Sequence, residues 1–112
     1  MLQAEIALLS PHFDVVGTAT DGAELVSEAQ RLHPDVIVTD IRMPILNGID
    51  VVRRLRESGS KAKFVFVSVH TEEELAEACI EVGAFAYVQK PQMRNHLVPA
   101  IQAALTGRTY PL

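Results

Sequence analysis

Residues 36–44 have the sequence Val36-Ile37-Val38-Thr39-Asp40-Ile41-Arg42-Met43-Pro44. The stretch begins as a short apolar run with β-branched side chains, which predicts a buried strand. A carboxylate, Asp40, stands where the run ends, and the Asn47-Gly48 pair that follows is typical of a turn. Open α/β sheets place their chemistry at the carboxyl ends of parallel strands, so Asp40 is a candidate functional residue. The alternative is that Asp40 only caps the next loop or helix, because Asp is a favoured cap and turn residue.

The composition is that of one globular domain with one core. The chain has 112 residues, of which 48% are hydrophobic and 21% are charged. No apolar run is long enough to span a membrane. A net charge of −4 argues against a broad nucleic-acid-binding surface. Cys79 is the only cysteine, so an internal disulfide is impossible; we interpret it as a core residue and expect a cytoplasmic protein.

Strands and helices alternate along the chain. Apolar runs predict four strands, at Phe13–Ala19, Asp35–Thr39, Phe64–Ser68 and Phe85–Val88. Apolar residues at helical spacing predict helices at Met1–Leu9, Ala23–Leu32, Ile49–Leu55, Thr71–Val82 and Asn95–Leu105. This order predicts a doubly wound α/β fold, in which helices cover both faces of a parallel sheet with right-handed crossovers. Because a helix opens the chain, we expect another strand to come before it.

Three polar side chains stand at the ends of successive predicted strands. They are Asp40, Ser68 and Lys90, and in a parallel sheet these ends share one edge. A carboxylate can accept a phosphoryl group as a nucleophile, and a lysine can hold a phosphoryl oxygen as a compact positive charge. A serine hydroxyl can donate a hydrogen bond to another phosphoryl oxygen. Taken singly, Ser68 and Lys90 are an ordinary strand-end hydroxyl and an ordinary solvated lysine, but their joint placement favours a site.

With these features, the chain resembles the receiver domain of two-component response regulators. The matching pieces are residues 34–44, Asn47-Gly48, residues 64–70, Gly83-Ala84 and residues 87–91. They cover most of the chain at the expected separations, and they are most similar to receivers joined to a helix-turn-helix DNA-binding domain. The resemblance implies a flavodoxin-like (CheY-like) doubly wound parallel sheet, with four strands visible here and the first strand missing.

The resemblance also implies roles for individual residues. Asp40 would be the phosphoacceptor, with a histidine kinase as the donor. Ser68 would be the switch hydroxyl and Tyr87 the aromatic switch residue. Lys90 would pair with the phosphoryl group, and a cis peptide bond would precede Pro91. We therefore expect a signalling domain that is not itself an enzyme and that switches a partner or an output domain.

The metal site of such receivers is incomplete in this sequence. The resemblance implies that Mg²⁺ takes Asp40 and the main-chain carbonyl of Arg42, together with two acidic residues at the end of the first strand. Those acids would fall before Met1, and Glu5, flanked by Ala and Ile on a helix, cannot replace them. Magnesium prefers six oxygen ligands, so we expect Mg²⁺ binding to be weak or absent and phosphate to be accepted slowly or not at all.

The missing strand would be central in the sheet, between the strands at Phe13 and Val36. An empty slot would leave buried backbone groups unpaired, at ~1–3 kcal/mol each. Either the Phe13 strand moves over to pair with the Val36 strand, or a second copy donates a strand in an exchanged homodimer, or the natural protein is longer. We favour an N-terminally truncated receiver spanning residues 1–112, in which residues 106–112 begin a linker.

Two other functions compete with a phosphoacceptor. A degenerate receiver would act as a phosphate-independent protein-interaction module; the missing acids favour it, while Asp40, Ser68 and Lys90 argue against it. A flavodoxin-like enzyme or cofactor carrier would need a phosphate-binding loop after its first strand. Gly17–Gly22 is a weak candidate for such a loop.

Overall fold

The fold was obtained as a computed structural model that describes residues 7–42, 44–68 and 81–110. Within these residues the long helices are α1 (Gly22–Leu32), α2 (Gly48–Glu57) and α3 (Met93–Leu105). The strands are β1 (Val36–Asp40), β2 (Lys63–Ser68) and β3 (Ala86–Gln89), and a 3₁₀ turn at Lys90–Gln92 joins β3 to α3. Residues 7–9 are also helical. Within the described part of the chain, no helix is long and apolar enough to cross a membrane.

The strands form one parallel sheet in the order β1-β2-β3. Asp40 lies opposite Val67, and Ser68 lies opposite Gln89, so the carboxyl ends of all three strands meet at one edge. The prediction of a parallel sheet is thereby confirmed, and this edge is where the candidate residues are found.

Alternation along β2 places side chains on both faces of the sheet, as the strand period of two requires. Phe64 and Phe66 pack with α1 and α2, while Val65 and Val67 pack with α3. All four of these side chains are fully buried. Helices therefore cover both faces, which confirms the doubly wound arrangement and explains why β2 lacks polar alternation.

The structure differs from the prediction at Phe13–Ala19. Residues 14–19 form no strand, so the sheet of the described residues has three strands rather than four. Phe13 packs into the α3 side of the core, but Val15 and Val16 are 38% and 53% exposed. Pairing of this segment with β1, one of the three alternatives considered for the missing strand, is not observed. Strand propensity alone does not make a strand, because the backbone groups also need a neighbouring strand to pair with.

Side-chain caps begin α1 and α2 where the turn signals predicted. The side chain of Asp21 accepts a hydrogen bond from the backbone N–H of Glu24, and that of Asn47 accepts one from Asp50, both at 2.8 Å. The Asn47-Gly48 pair therefore ends the loop that follows Asp40 and starts a helix. Each cap fixes the residue at which its helix begins.

The remaining sequence predictions have mixed outcomes. The predicted helix at Thr71–Val82, which includes Cys79, lies largely outside the described residues. Its end is described: Glu81 is helical, and Gly83 has a φ of 85°, as a C-terminal glycine cap requires. The prediction of a cis bond before Pro91 is wrong, since no cis bond occurs among the described residues. Pro91 instead lies in the first turn of the 3₁₀ segment, where its fixed φ suits a helical start.

Candidate functional site

Asp40 and Lys90 meet at the carboxyl edge of the sheet. The Nζ of Lys90 lies 3.1 Å from Oδ1 of Asp40, and the two side chains are 17% and 33% exposed. Asp40 is the last residue of β1, and Lys90 is the first residue after β3. The two residues come from the two outer strands of the sheet, so the fold, and not local sequence, brings them together.

The Oδ1 atom of Asp40 is buried and accepts no well-directed hydrogen bond from the described residues. The contact with Lys90 is close in distance, but it lacks the direction of a formed hydrogen bond. A buried carboxylate oxygen normally has hydrogen-bond donors, and exceptions in folded proteins are often functional. Lys90 supplies the neutralising charge, and the described residues donate no hydrogen bond to Oδ1. Because the Asp40 side chain as a whole is 33% exposed, the accessible part of the carboxylate is its other oxygen, which an incoming electrophile can reach.

Two backbone hydrogen bonds and a glycine hold the loop after Asp40. The N–H of Gly48 donates to the carbonyl of Ile41 at 2.6 Å, and the N–H of Leu46 donates to that of Pro44 at 2.8 Å. A Cβ on Gly48 would overlap the carbonyl oxygen of Asp40 and lie 2.8 Å from Cε1 of Phe66. Gly48 therefore permits a close approach of backbone to the candidate residue.

The first residue of α1 supports the same loop from the other side. The N–H of Gly22 donates to the carbonyl of Pro44 at 3.2 Å, and a Cβ on Gly22 would overlap the carbonyl oxygen of Leu46. The sequence shows Gly22 and Gly48 only as turn or cap signals. The spacing of neither glycine reveals that it lies in close contact with another segment of backbone.

Ile45 is a strained residue in the described part of this loop. Its φ is 72°, in the left-handed region that β-branched residues seldom occupy, and its side chain is 76% exposed. The neighbouring hydrogen bonds of Pro44 hold this conformation against its cost, which for such a residue is about 1–2 kcal/mol. No sequence signal predicted this strain, since turn positions of this kind usually carry Gly or Asn.

The other residues named from the sequence lie on the same strands. Ser68 is the last residue of β2 and is buried. Tyr87 lies within β3 opposite Phe66, and its side chain is 4% exposed in the core beneath α1 and α2. Arg42 lies two residues beyond Asp40, with its side chain exposed. The structure thus places Ser68 at the edge that holds Asp40 and Lys90, and it holds the Tyr87 ring inward.

The described residues do not by themselves fit a magnesium ion. They contain no group of three or more His, Cys, Asp or Glu side chains that could hold a metal. Asp40 and a main-chain carbonyl fall short of the octahedral oxygen set that Mg²⁺ prefers. Glu5, which the sequence argument rejected as a substitute, lies outside the described residues.

Residues 2–102 match the family model for the response regulator receiver domain. This chain belongs to that family. The receiver resemblance inferred from the sequence is thereby confirmed.

The relatives of this receiver domain include longer regulatory proteins. It is 30% identical over 105 residues to the transcriptional regulatory protein DegU of Brevibacillus brevis, covering 94% of this chain and 44% of DegU. It is 31% identical over 103 residues to the nitrate/nitrite response regulator protein NarL of Escherichia coli K12, covering 92% of this chain and 48% of NarL. The chain thus spans about half the length of these curated relatives.

Solved structures confirm the receiver fold. The signal receiver domain of the putative response regulator NarL from Mycobacterium tuberculosis is similar at a TM-score of 0.89 and 28% identity, covering 95% of this chain and 87% of that one. The response regulator domain of Thermotoga maritima CheB is similar at a TM-score of 0.86 and 31% identity, covering 95% and 88%. The flavodoxin-like α/β architecture expected from the sequence is therefore confirmed.

Proposed function

We propose that this receiver domain is a phosphoacceptor of a two-component system, phosphorylated on Asp40 by a histidine kinase. A carboxylate oxygen of Asp40 would attack the phosphorus of a phosphohistidine. An oxygen–phosphorus bond would form, and the product would be an acyl phosphate. The phosphorus–nitrogen bond would break, its electron pair would go to the imidazole, and the imidazole would take a proton from water. The single observation that carries the proposal is the Lys90 ammonium 3.1 Å from a buried oxygen of Asp40 that has no hydrogen-bond donor among the described residues.

Lys90 is the residue that would respond to the modification. Before transfer it balances the Asp40 carboxylate, and after transfer the negative charge lies on the phosphoryl oxygens, which Lys90 would follow. Phosphoryl transfer depends on positioning and on charge neutralisation, and an ammonium already at the site meets both needs without reorganisation. Ser68 would donate its hydroxyl to a second phosphoryl oxygen, and Tyr87 would report the change through the core.

Slow acceptance of phosphate belongs to the same proposal. The described residues lack the ligand set for Mg²⁺, so any bound ion would depend on Asp40, on the Arg42 carbonyl and on groups outside those residues. We therefore propose weak or absent Mg²⁺ binding and slow labelling of this chain by a small phosphodonor. Prompt, stoichiometric labelling in the presence of Mg²⁺ would contradict this part of the proposal.

The test uses a small phosphodonor over a long incubation, followed by mapping of the acyl phosphate. We expect label on Asp40, none in Asp40→Asn, and unchanged label in Asp50→Asn, a matched change of a half-buried carboxylate in the first turn of α2. Label that survives in Asp40→Asn would overturn the assignment of Asp40. A chain that takes no label, even with a phosphohistidine donor, would favour the phosphate-independent interaction module.

Partners follow from the proposed role and from the relatives. One relative is named as the DNA-binding transcriptional activator EvgA of Escherichia coli K12, of which this chain covers 50% at 28% identity. By analogy, we propose a DNA-binding output domain beyond residue 112, a cytoplasmic location and a histidine kinase donor.

A homodimer is supported by β1, which pairs only with β2 among the described residues. Light scattering of the purified chain tests it: a strict monomer excludes strand exchange.

A further inference from the structure

The chain turns back on itself after α3. The N–H of Arg108 donates to the carbonyl of Ala103 at 2.8 Å, and the N–H of Gly107 donates to that of Ala104 at 3.0 Å. With a φ of 76° at Gly107, these bonds form the Schellman motif that ends a helix and reverses the backbone. Residues 106–110, called the C-terminal strap below, therefore start in a defined direction.

Tyr110 anchors the strap at three points. Its backbone N–H donates to the carbonyl of Phe85 at 2.9 Å, and its hydroxyl lies 2.7 Å from Nδ1 of His96, within hydrogen-bonding distance. Its ring is tilted against that of His96, with centroids 5.9 Å apart, and packs on the buried cluster between α3 and the sheet. A segment held by backbone, hydroxyl and ring contacts together is docked in one position.

The docking point shares a strand with the candidate site. Phe85 immediately precedes β3, and Lys90 immediately follows it. Along an extended strand, the two residues are about 16 Å apart. The strand between them is buried at Ala86, Tyr87 and Val88, so it is packed on both faces. A displacement of Lys90 therefore acts on the same strand that holds Tyr110.

We propose that the C-terminal strap is a latch coupled through β3 to the Asp40–Lys90 ion pair. Losing that pair shifts the end of β3, weakens the docking of Tyr110 and raises the open population of the strap. The coupling is a property of this chain's own residues; only the identity of its natural trigger, the phosphoryl group, rests on the proposed function. Because coupling free energies are reciprocal, opening the strap also loosens Lys90 from Asp40.

The latch itself is tested by limited trypsin cleavage after Arg108, which is exposed and lies within the strap. Cleavage of a transiently open segment reports its open population. We expect Tyr110→Ala to raise the rate about fivefold or more, and Tyr110→Phe, which loses only the hydroxyl, to raise it less. Thr109→Ala is the matched control, since Thr109 is exposed, and should cleave like the parent chain. Equal rates for Tyr110→Ala and the parent would refute a docked strap.

The coupling is tested with Asp40→Asn, alone and combined with Tyr110→Ala. We expect the single change to speed cleavage after Arg108 about two- to fivefold, and to add nothing once Tyr110 is gone. Hydrogen exchange at the Tyr110 amide should accelerate in parallel, while exchange at Ile101 in the middle of α3 stays slow, which separates strap opening from global unfolding. An Asp40→Asn chain with parental cleavage and Tyr110 exchange would overturn the coupling. Failure of phosphorylation together with a working Asp40→Asn effect would refute the proposed function alone.

Discussion

A change of Gly48 to alanine probes how the loop holds Asp40. The added Cβ would overlap the Asp40 carbonyl oxygen, lie 2.8 Å from Cε1 of Phe66 and lie 3.2 Å from Cα of Ile41. Phe66 is fully buried, so it cannot retreat into solvent. Alanine is otherwise favoured in a helix by ~0.5–1 kcal/mol over glycine, whereas overpacking of this kind costs ~1–3 kcal/mol. We expect a net loss of about 1–2 kcal/mol in the free energy of unfolding.

Urea unfolding followed by circular dichroism measures that loss, and Gly59→Ala provides the comparison. Gly59 has a φ of 89° but nothing within 4 Å of its Cβ position, so its change costs backbone strain without a clash. Both variants should be less stable, but only Gly48→Ala should also slow the labelling of Asp40, because only Gly48 lies against it. A Gly48→Ala chain within 0.5 kcal/mol of the parent, with unchanged labelling, would refute the inference that this close approach positions the site.

Three further changes test neighbouring parts of the structure. Ile45→Asn should stabilise the chain by about 1 kcal/mol in urea unfolding, because asparagine tolerates the left-handed conformation and little burial is lost; a loss of stability would contradict the strain. Asn47→Ala should cost about 1 kcal/mol by removing the cap on Asp50, while Asn47→Asp restores it. Lys90→Met should slow labelling of Asp40 about 100-fold; a rate within twofold of the parent would remove Lys90 from the mechanism.

The local features of the fold could be predicted from the sequence because their causes are local. Asp21 and Asn47 are caps at the positions where turn signals stood, and the apolar run at Phe64–Ser68 forms the buried central strand. Asp40 and Lys90 could be assigned to one edge because parallel strands bring their carboxyl ends together. Each of these inferences needs only periodicity, cap chemistry and a single rule of topology.

Features that depend on distant neighbours could not be predicted in this way. Val15 and Val16 have strand propensity, but a strand also needs a partner, and no pattern within the segment tells whether one is present. The contacts of Gly22 with Leu46, and of Tyr110 with Phe85, join residues about 25 positions apart that share no motif. The distances in these contacts depend on how the helices pack against the sheet.

The described residues show two features that a strand beside β1 would change. Among the described residues β1 has a neighbour on one side only, and Val15 and Val16, where a further strand was expected, remain exposed. The carboxylate at the end of β1 has Lys90 as its counter-charge, but the described residues offer no group of acidic side chains that could complete an ion site. A parallel strand beside β1 that ends in two carboxylates would bury apolar surface and supply oxygen ligands at the same edge. We therefore expect a strand added beside β1 to raise the free energy of unfolding and the rate of phosphate acceptance together.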